Sequence, residues 1–107
     1  AKKLAPGRVR FICALGWAYG TAGDLQKARE IFNEALAIQQ EKYVAAYDLA
    51  IGALGIGDQS KALNYLEVAY KEREPWMPFI GMNPIFNTLK NDPQFKTLVE
   101  NIESNKD

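Results

Sequence analysis

The sequence contains no histidine and only one cysteine among its 107 residues. Histidine is the commonest general base. Its absence excludes the serine and cysteine nucleophiles that depend on it, together with most zinc and haem sites. The single cysteine, Cys13, excludes an internal disulfide and an all-cysteine metal site, which fits a reducing compartment. We therefore expect no cofactor, no metal and no catalytic residue, and an enzyme of unknown class remains only as an alternative.

The sequence also lacks an excess of charge and any long apolar run. Thirteen Lys and Arg residues balance thirteen Asp and Glu residues, so nothing draws the whole chain to nucleic acid or to an anionic membrane. No apolar run reaches the roughly 18 residues that cross a bilayer, and the first residues do not have the plan of a signal peptide. We expect a cytoplasmic protein of one domain, with no nucleic-acid and no membrane partner.

What the sequence does contain is a stretch that recurs at a fixed spacing. Residues 15–39 predict a helix, a tight turn and a second helix, and the same plan follows without a gap. A period of 34 is characteristic of repeats built from two helices. The matched pairs are Leu15 and Leu49, Gly23 and Gly57, Asp24 and Asp58, Lys27 and Lys61, Ala28 and Ala62, and Ala35 and Ala69.

The first copy carries the spacing L-G-x2-Y followed by A-x3-F, formed by Leu15-Gly16, Tyr19, Ala28 and Phe32. It resembles the tetratricopeptide repeat family, although Ile12 stands where that pattern usually has tryptophan. The resemblance implies an all-α fold, with two helical hairpins and a C-terminal helical cap in a right-handed α-solenoid fragment. It also implies a noncatalytic scaffold that binds other proteins. The second copy keeps the spacing with small or apolar replacements, namely Ala46, Ala50, Ala53 and Leu66.

These signals predict the organisation of the whole chain. We expect a single domain over 1–107, with repeat 1 at 8–40, repeat 2 at 43–73, and an elbow with capping helices at 75–107. Residues 1–7 look like the tail of a preceding repeat. Gly23 and Gly57 should end the first helix of each hairpin, and Asp24 and Asp58 should cap the second helix. The expected helices cover residues 8–21, 25–40, 43–56, 59–73, 84–90 and 93–103.

The C-terminal third departs from the repeat pattern. Pro75 and Pro78 predict a rigid apolar elbow around Trp76, and Asn83-Pro84 and Asp92-Pro93 each have the form of a helix start. The stretch 76–95 is also similar to the tails of bacterial repeat arrays that are fused to winged-helix regulators, kinases or cyclases. That similarity implies the C-terminal part of a larger bacterial regulatory protein.

The resemblance places the partner-binding site on the first helix of each hairpin. These helices would line a concave apolar groove that includes Arg10, Cys13, Trp17, Thr21, Val44, Tyr47, Ile51 and Leu54. Exposed apolar grooves with tryptophan and tyrosine are typical of protein-binding sites, so a peptide, a helix or a sister chain in a homodimer is the expected partner. Alternatively, the 93–103 helix, the Trp76 elbow or a second copy covers the groove. An RNA-binding helical repeat is a further alternative, which the period and charge oppose.

Overall fold

The computed structural model describes residues 6–104, which form an all-helical fold without a strand in that part of the chain. The expected all-α class is therefore confirmed for these residues. The α-helices are α1 (Pro6–Thr21), α2 (Leu25–Gln39), α3 (Ala46–Gly55), α4 (Gln59–Lys71) and α5 (Pro93–Ser104), and two 3₁₀ helices cover Met77–Phe79 and Pro84–Leu89. Of the expected repeat tail at 1–7, residues 1–5 lie outside the described residues, and residues 6 and 7 belong to α1.

The same turn ends the first helix of both hairpins. After α1, the amide of Gly23 donates to the Gly20 carbonyl at 3.1 Å and the amide of Asp24 donates to the Tyr19 carbonyl at 2.9 Å. The corresponding two bonds after α3, donated by Gly57 and Asp58, measure 3.0 Å each. Both glycines have positive φ, 97° and 79°, which glycine adopts without steric cost.

The second helix of each hairpin begins with the aspartate cap that the sequence predicts. Asp24 accepts a bond from the Lys27 amide at 3.1 Å, and Asp58 accepts one from the Lys61 amide at 3.0 Å. The caps at Asn83 and Asp92 are also confirmed, since Asn83 accepts from the Ile85 amide at 3.0 Å and Asp92 accepts from the Gln94 amide at 2.8 Å. Four local start signals were therefore readable from the sequence.

Helix α3 connects the two hairpins, because it packs against α1, α2 and α4. Helices α1 and α3 approach each other closely where glycines replace side chains. A Cβ on Gly20 would collide with the Gly55 carbonyl, and a Cβ on Gly55 would lie 2.7 Å from the Gly16 carbonyl oxygen. The glycines weaken α3 as an isolated helix, yet they allow the two helix backbones to touch.

Several element bounds and one buried position differ from the sequence prediction. Helix α3 begins at Ala46 instead of residue 43, and the short helix expected at residues 84–90 is a 3₁₀ helix over Pro84–Leu89. Ala45, which precedes α3, has no side-chain cap bond, so no local signal marks its start. The apolar spacing of α2 also predicts burial of Leu25, which is instead exposed at the first position of that helix.

Within residues 6–104, no helix combines the length and the apolar character needed to span a membrane.

Candidate protein-binding surface

The structure divides the eight predicted groove residues into two groups. Four of them are buried within the chain, namely Cys13, Val44, Tyr47 and Ile51. The other four are partly or fully accessible, namely Arg10, Trp17, Thr21 and Leu54. Their assignment to partner binding stays a prediction, and the buried group meets only this chain's own atoms.

The side chain of Tyr47 is covered by the segment that follows α4. Asn83 donates a hydrogen bond from Nδ2 to the Tyr47 hydroxyl at 2.9 Å, and the Phe86 ring packs edge-on against the Tyr47 ring with centroids 5.7 Å apart. Of the alternatives that the sequence left open, self-coverage therefore holds at this position. The covering residues come from the start of the second 3₁₀ helix.

Arg10 joins α1 to α3 and to the elbow. Its Nε donates to Oδ1 of the buried Asp48 at 3.0 Å, and its guanidinium lies over the Trp76 ring, 4.6 Å from the centroid. Burial raises the pKa of the Asp48 carboxyl, and the Arg10 charge and hydrogen bond oppose that shift. Arg10, which was expected to border a ligand groove, therefore contacts Asp48 on one side and Trp76 on the other, both within this chain.

Cys13 is placed inside the helix packing, where it has no accessible surface. Burial raises the pKa of its thiol to about 12, and the Asp48 carboxylate adds to the shift. Since the thiolate is the reactive form, this cysteine is chemically inert in the folded chain near neutral pH.

The second buried acidic side chain, Glu74, closes the N-terminus of α3. It accepts bonds from the amides of Ala46 at 3.0 Å and Tyr47 at 3.3 Å, and from the Tyr43 hydroxyl at 3.2 Å. Burial raises the pKa of Glu74, while the bonds from the two amides lower it. Glu74 therefore supplies the cap that Ala45 cannot provide, from 28 residues further along the chain.

The elbow presents a row of exposed apolar side chains that the sequence analysis did not single out. Backbone bonds between residues three apart recur from Met77 to Asn83, and a period of three aligns every third side chain. One row faces the core, where Met77 and Ile80 are buried. The opposite row is Trp76, Phe79 and Met82, with 42%, 53% and 75% of their surface exposed. We name this second row the outer stripe.

A cavity of about 360 Å³ lies beside the outer stripe. It is lined by Met82, Gly81 and Ile80 from the elbow and by Val99 and Ile102 from α5. The rigid prolines of the elbow hold the stripe in place next to this cavity. The period-three pattern Trp76, Phe79, Met82 is visible in the sequence, but only the backbone conformation shows that it forms one face.

Across residues 6–104, no group of three or more acidic, cysteine or histidine side chains is arranged to hold a metal ion. Comparison of the chain with protein-family models, with curated proteins and with solved structures finds no significant match.

Proposed function

We propose that this chain is a noncatalytic protein-binding module of the tetratricopeptide type, which holds an apolar peptide or helix of a partner against the outer stripe. One observation carries the proposal: three large apolar side chains stand exposed in one row on a proline-braced backbone. Tryptophan, other aromatics and methionine are enriched at the centres of protein interfaces. Such a row is costly to leave in water unless a partner covers it.

The geometry of the elbow supports binding of an extended or helical segment. Met82, at the end of the row, lines the cavity together with Val99, Ile102 and Glu103, and this cavity has room for one anchoring side chain of a partner. Because 3₁₀ turns and prolines already fix the backbone, little ordering entropy is lost on binding. Arg10 stacks on Trp76 and keeps that ring oriented.

The repeated turn and cap geometry supports the solenoid part of the proposal. The bonds that end α1 and begin α2 recur in the second hairpin around Gly57 and Asp58, with equivalent partners and nearly the same lengths. A right-handed α-solenoid fragment within a cytoplasmic bacterial regulator follows from the resemblance of the repeat and of the stretch 76–95. In that setting, the outer stripe and the accessible residues Trp17 and Leu54 belong to one interaction module.

A peptide library displayed on phage tests the proposed function. Selection on the 107-residue chain should enrich apolar peptides whose affinity falls at least about tenfold when Phe79 and Met82 are both changed to serine. Val68→Ser, at an exposed apolar position on α4, is the matched control and should leave binding unchanged. Circular dichroism confirms that each variant is folded.

Fluorescence provides a second readout for the selected peptides. Trp17→Phe leaves Trp76 as the only tryptophan, so a peptide on the outer stripe should shift its emission to shorter wavelength. Enriched peptides that bind the wild type and the Phe79, Met82 double variant equally well would overturn the proposal. A selection that enriches no more peptides on the wild type than on the double variant would also overturn it.

A further inference from the structure

The outer face of α1 is a second apolar surface, distinct from the outer stripe. Arg8, Phe11, Leu15 and Ala18 follow the spacing of three and four residues that aligns side chains along one helix face, and all four are exposed. Phe11 and Leu15 expose 63% and 39% of their surface. The remaining sides of α1 pack against α2 and α3. We call these four residues the outer α1 face.

In the internal repeat, two of the four positions of the equivalent face are buried, whereas Lys42 and Ala45, the counterparts of Arg8 and Phe11, are exposed and half-buried. A shift by one repeat period places Leu15 on Leu49 and Ala18 on Gly52, and both of these α3 residues are buried. A Cβ at Gly52 would lie 2.6 Å from the Phe32 ring of the first hairpin. Ala18 of the first copy is therefore exposed where its counterpart Gly52 packs against a neighbouring hairpin.

We infer that the outer α1 face mediates self-association, with α1 of one molecule packed antiparallel against α1 of a second copy across a two-fold axis. Charge complementarity selects this occupant and this orientation. Arg8 lies at the N-terminal end of the face, and Asp24 is exposed just beyond the C-terminal end of α1. Antiparallel pairing brings Arg8 of each copy to Asp24 and to the partially negative helix end of the other.

The spacing along the helix is consistent with such an axis. Leu15 lies between Arg8 and Asp24 along the chain, so an antiparallel pairing that joins these two charges brings the Leu15 side chains of the two copies close to the axis. A parallel arrangement would instead bring the two Arg8 side chains together. An interface of this kind uses the same patch on both molecules, as two-fold dimers do.

The size of the patch sets the strength of the association. An interface one helix wide falls at or below the low end of specific protein interfaces, so we expect a dissociation constant on the order of 10–100 µM. Sedimentation velocity of the 107-residue chain, from micromolar to millimolar concentration, should show the weight-average mass rise from that of the monomer towards twice that value. High salt should weaken the association, because the end contacts are charged.

Two sets of variants separate this surface from the outer stripe. Phe11→Glu should raise the dissociation constant at least about tenfold, whereas Phe79→Glu, which places the same charge on the outer stripe, should leave it unchanged. Arg8→Glu and Asp24→Lys should each weaken the dimer, and the double variant should associate more strongly than Asp24→Lys alone. Both the double variant and Asp24→Lys lack the aspartate cap of α2, so the difference between them reports only on the charge pair.

Three results would overturn the inference. These are a monomer at all concentrations, a dimer that survives Phe11→Glu but not Phe79→Glu, and a charge-swapped pair with no recovery. Peptide binding to the outer stripe is measured separately at low concentration, where the chain is monomeric. Failure of one proposal therefore leaves the other standing.

Discussion

Arg73 has a backbone conformation that suits glycine. Its φ is 57°, and it is the only residue other than glycine with positive φ among residues 6–104. Its amide donates to the Tyr70 carbonyl at 3.1 Å, and the Glu74 amide donates to the Ala69 carbonyl at 3.1 Å. These bonds have the same pattern as those that end α1 and α3, where glycine holds the matching position.

Arg73→Gly should therefore stabilise the chain. Relief of the left-handed conformation outweighs the added freedom of glycine in the unfolded state, and we expect a gain of about 0.5–1 kcal/mol in the free energy of unfolding. Urea denaturation followed by circular dichroism measures the change. Gly57→Ala is the reciprocal control and should lose a comparable amount, whereas a loss with Arg73→Gly would contradict the argument.

The pair of Arg10 and Asp48 makes stability depend on pH. Burial raises the pKa of Asp48 in the folded state, so the folded chain binds the proton more tightly than the unfolded chain does. The contribution of this group is then fully present below the ordinary pKa of aspartate and is lost as pH rises through the folded-state pKa. Arg10 limits the loss by stabilising the carboxylate.

Arg10→Leu should destabilise the chain by about 1–3 kcal/mol at pH 7, with a smaller loss near pH 4.5, where Asp48 is more fully protonated. The loss is smaller than for a fully buried pair because 40% of the Arg10 side chain is exposed. The urea midpoints at the two pH values measure this loss. Arg29→Leu, at an exposed position on α2, is the control and should change neither midpoint. An equal loss at both pH values would mean that Arg10 acts through packing alone.

At the scale of elements, local signals predicted most helix boundaries and failed where the partner is distant in sequence. The turns at Gly23 and Gly57 and the caps at Asn83 and Asp92 use residues within a few positions of one another, so their chemistry is readable along the chain. The start of α3 is set by Glu74, which no local pattern connects to it. The expected start at residue 43 was wrong for that reason.

Glu74→Ala should cost about 1–2 kcal/mol, because two α3 amides lose their acceptor in a buried setting. Glu74→Gln keeps an acceptor oxygen and should cost less. The matched control is Glu72→Ala, since Glu72 is exposed and its bond joins it to the Tyr43 hydroxyl at 3.1 Å. Chemical denaturation measures the three variants, and equal effects at positions 72 and 74 would argue against the cap.

The glycines at the α1 and α3 crossing should respond unequally to alanine. Gly55→Ala would place a methyl group against the Gly16 carbonyl and the Trp17 backbone, neither of which can move alone, so we expect a net loss of about 1–3 kcal/mol. Gly16→Ala meets the Cγ2 methyl group of Ile31 at 3.1 Å, a side-chain contact instead of a backbone one, and the better helix propensity of alanine offsets part of its cost. Thermal unfolding compares the two, and equal losses would contradict this account.

At the scale of the molecule, the sequence left open whether the 93–103 helix, the Trp76 elbow or a second copy covers the expected groove. It did not predict what Arg10 and Tyr47 contact. Their contacts with Trp76, Asn83 and Phe86 depend on how the elbow folds back over α1 and α3, which has no periodic signature. The resemblance assigns Cys13 to the groove, and helical spacing alone cannot separate a surface between two helices from the core beside it.

Cys13 reports on opening of the whole molecule. As the only thiol of the chain, buried and with its pKa raised to about 12, it should react with a thiol reagent at pH 8 only through unfolding. The native rate should fall below the rate in urea by a factor of about 10³ or more, in line with the unfolding equilibrium. Cys13→Ala combined with Ser60→Cys places the thiol on the surface of α4 and should react at once. A fast reaction of the wild type would show local opening between α1 and α3.

The cap from Glu74 to α3 also bears on how the chain is made. On the ribosome, α1 and α2 can close as soon as they leave the exit tunnel, because their turn and cap are encoded within a few residues. The amides that begin α3 must wait for a carboxylate that is synthesised 28 residues later. The capped start of α3 can therefore form only after residue 74 has left the exit tunnel.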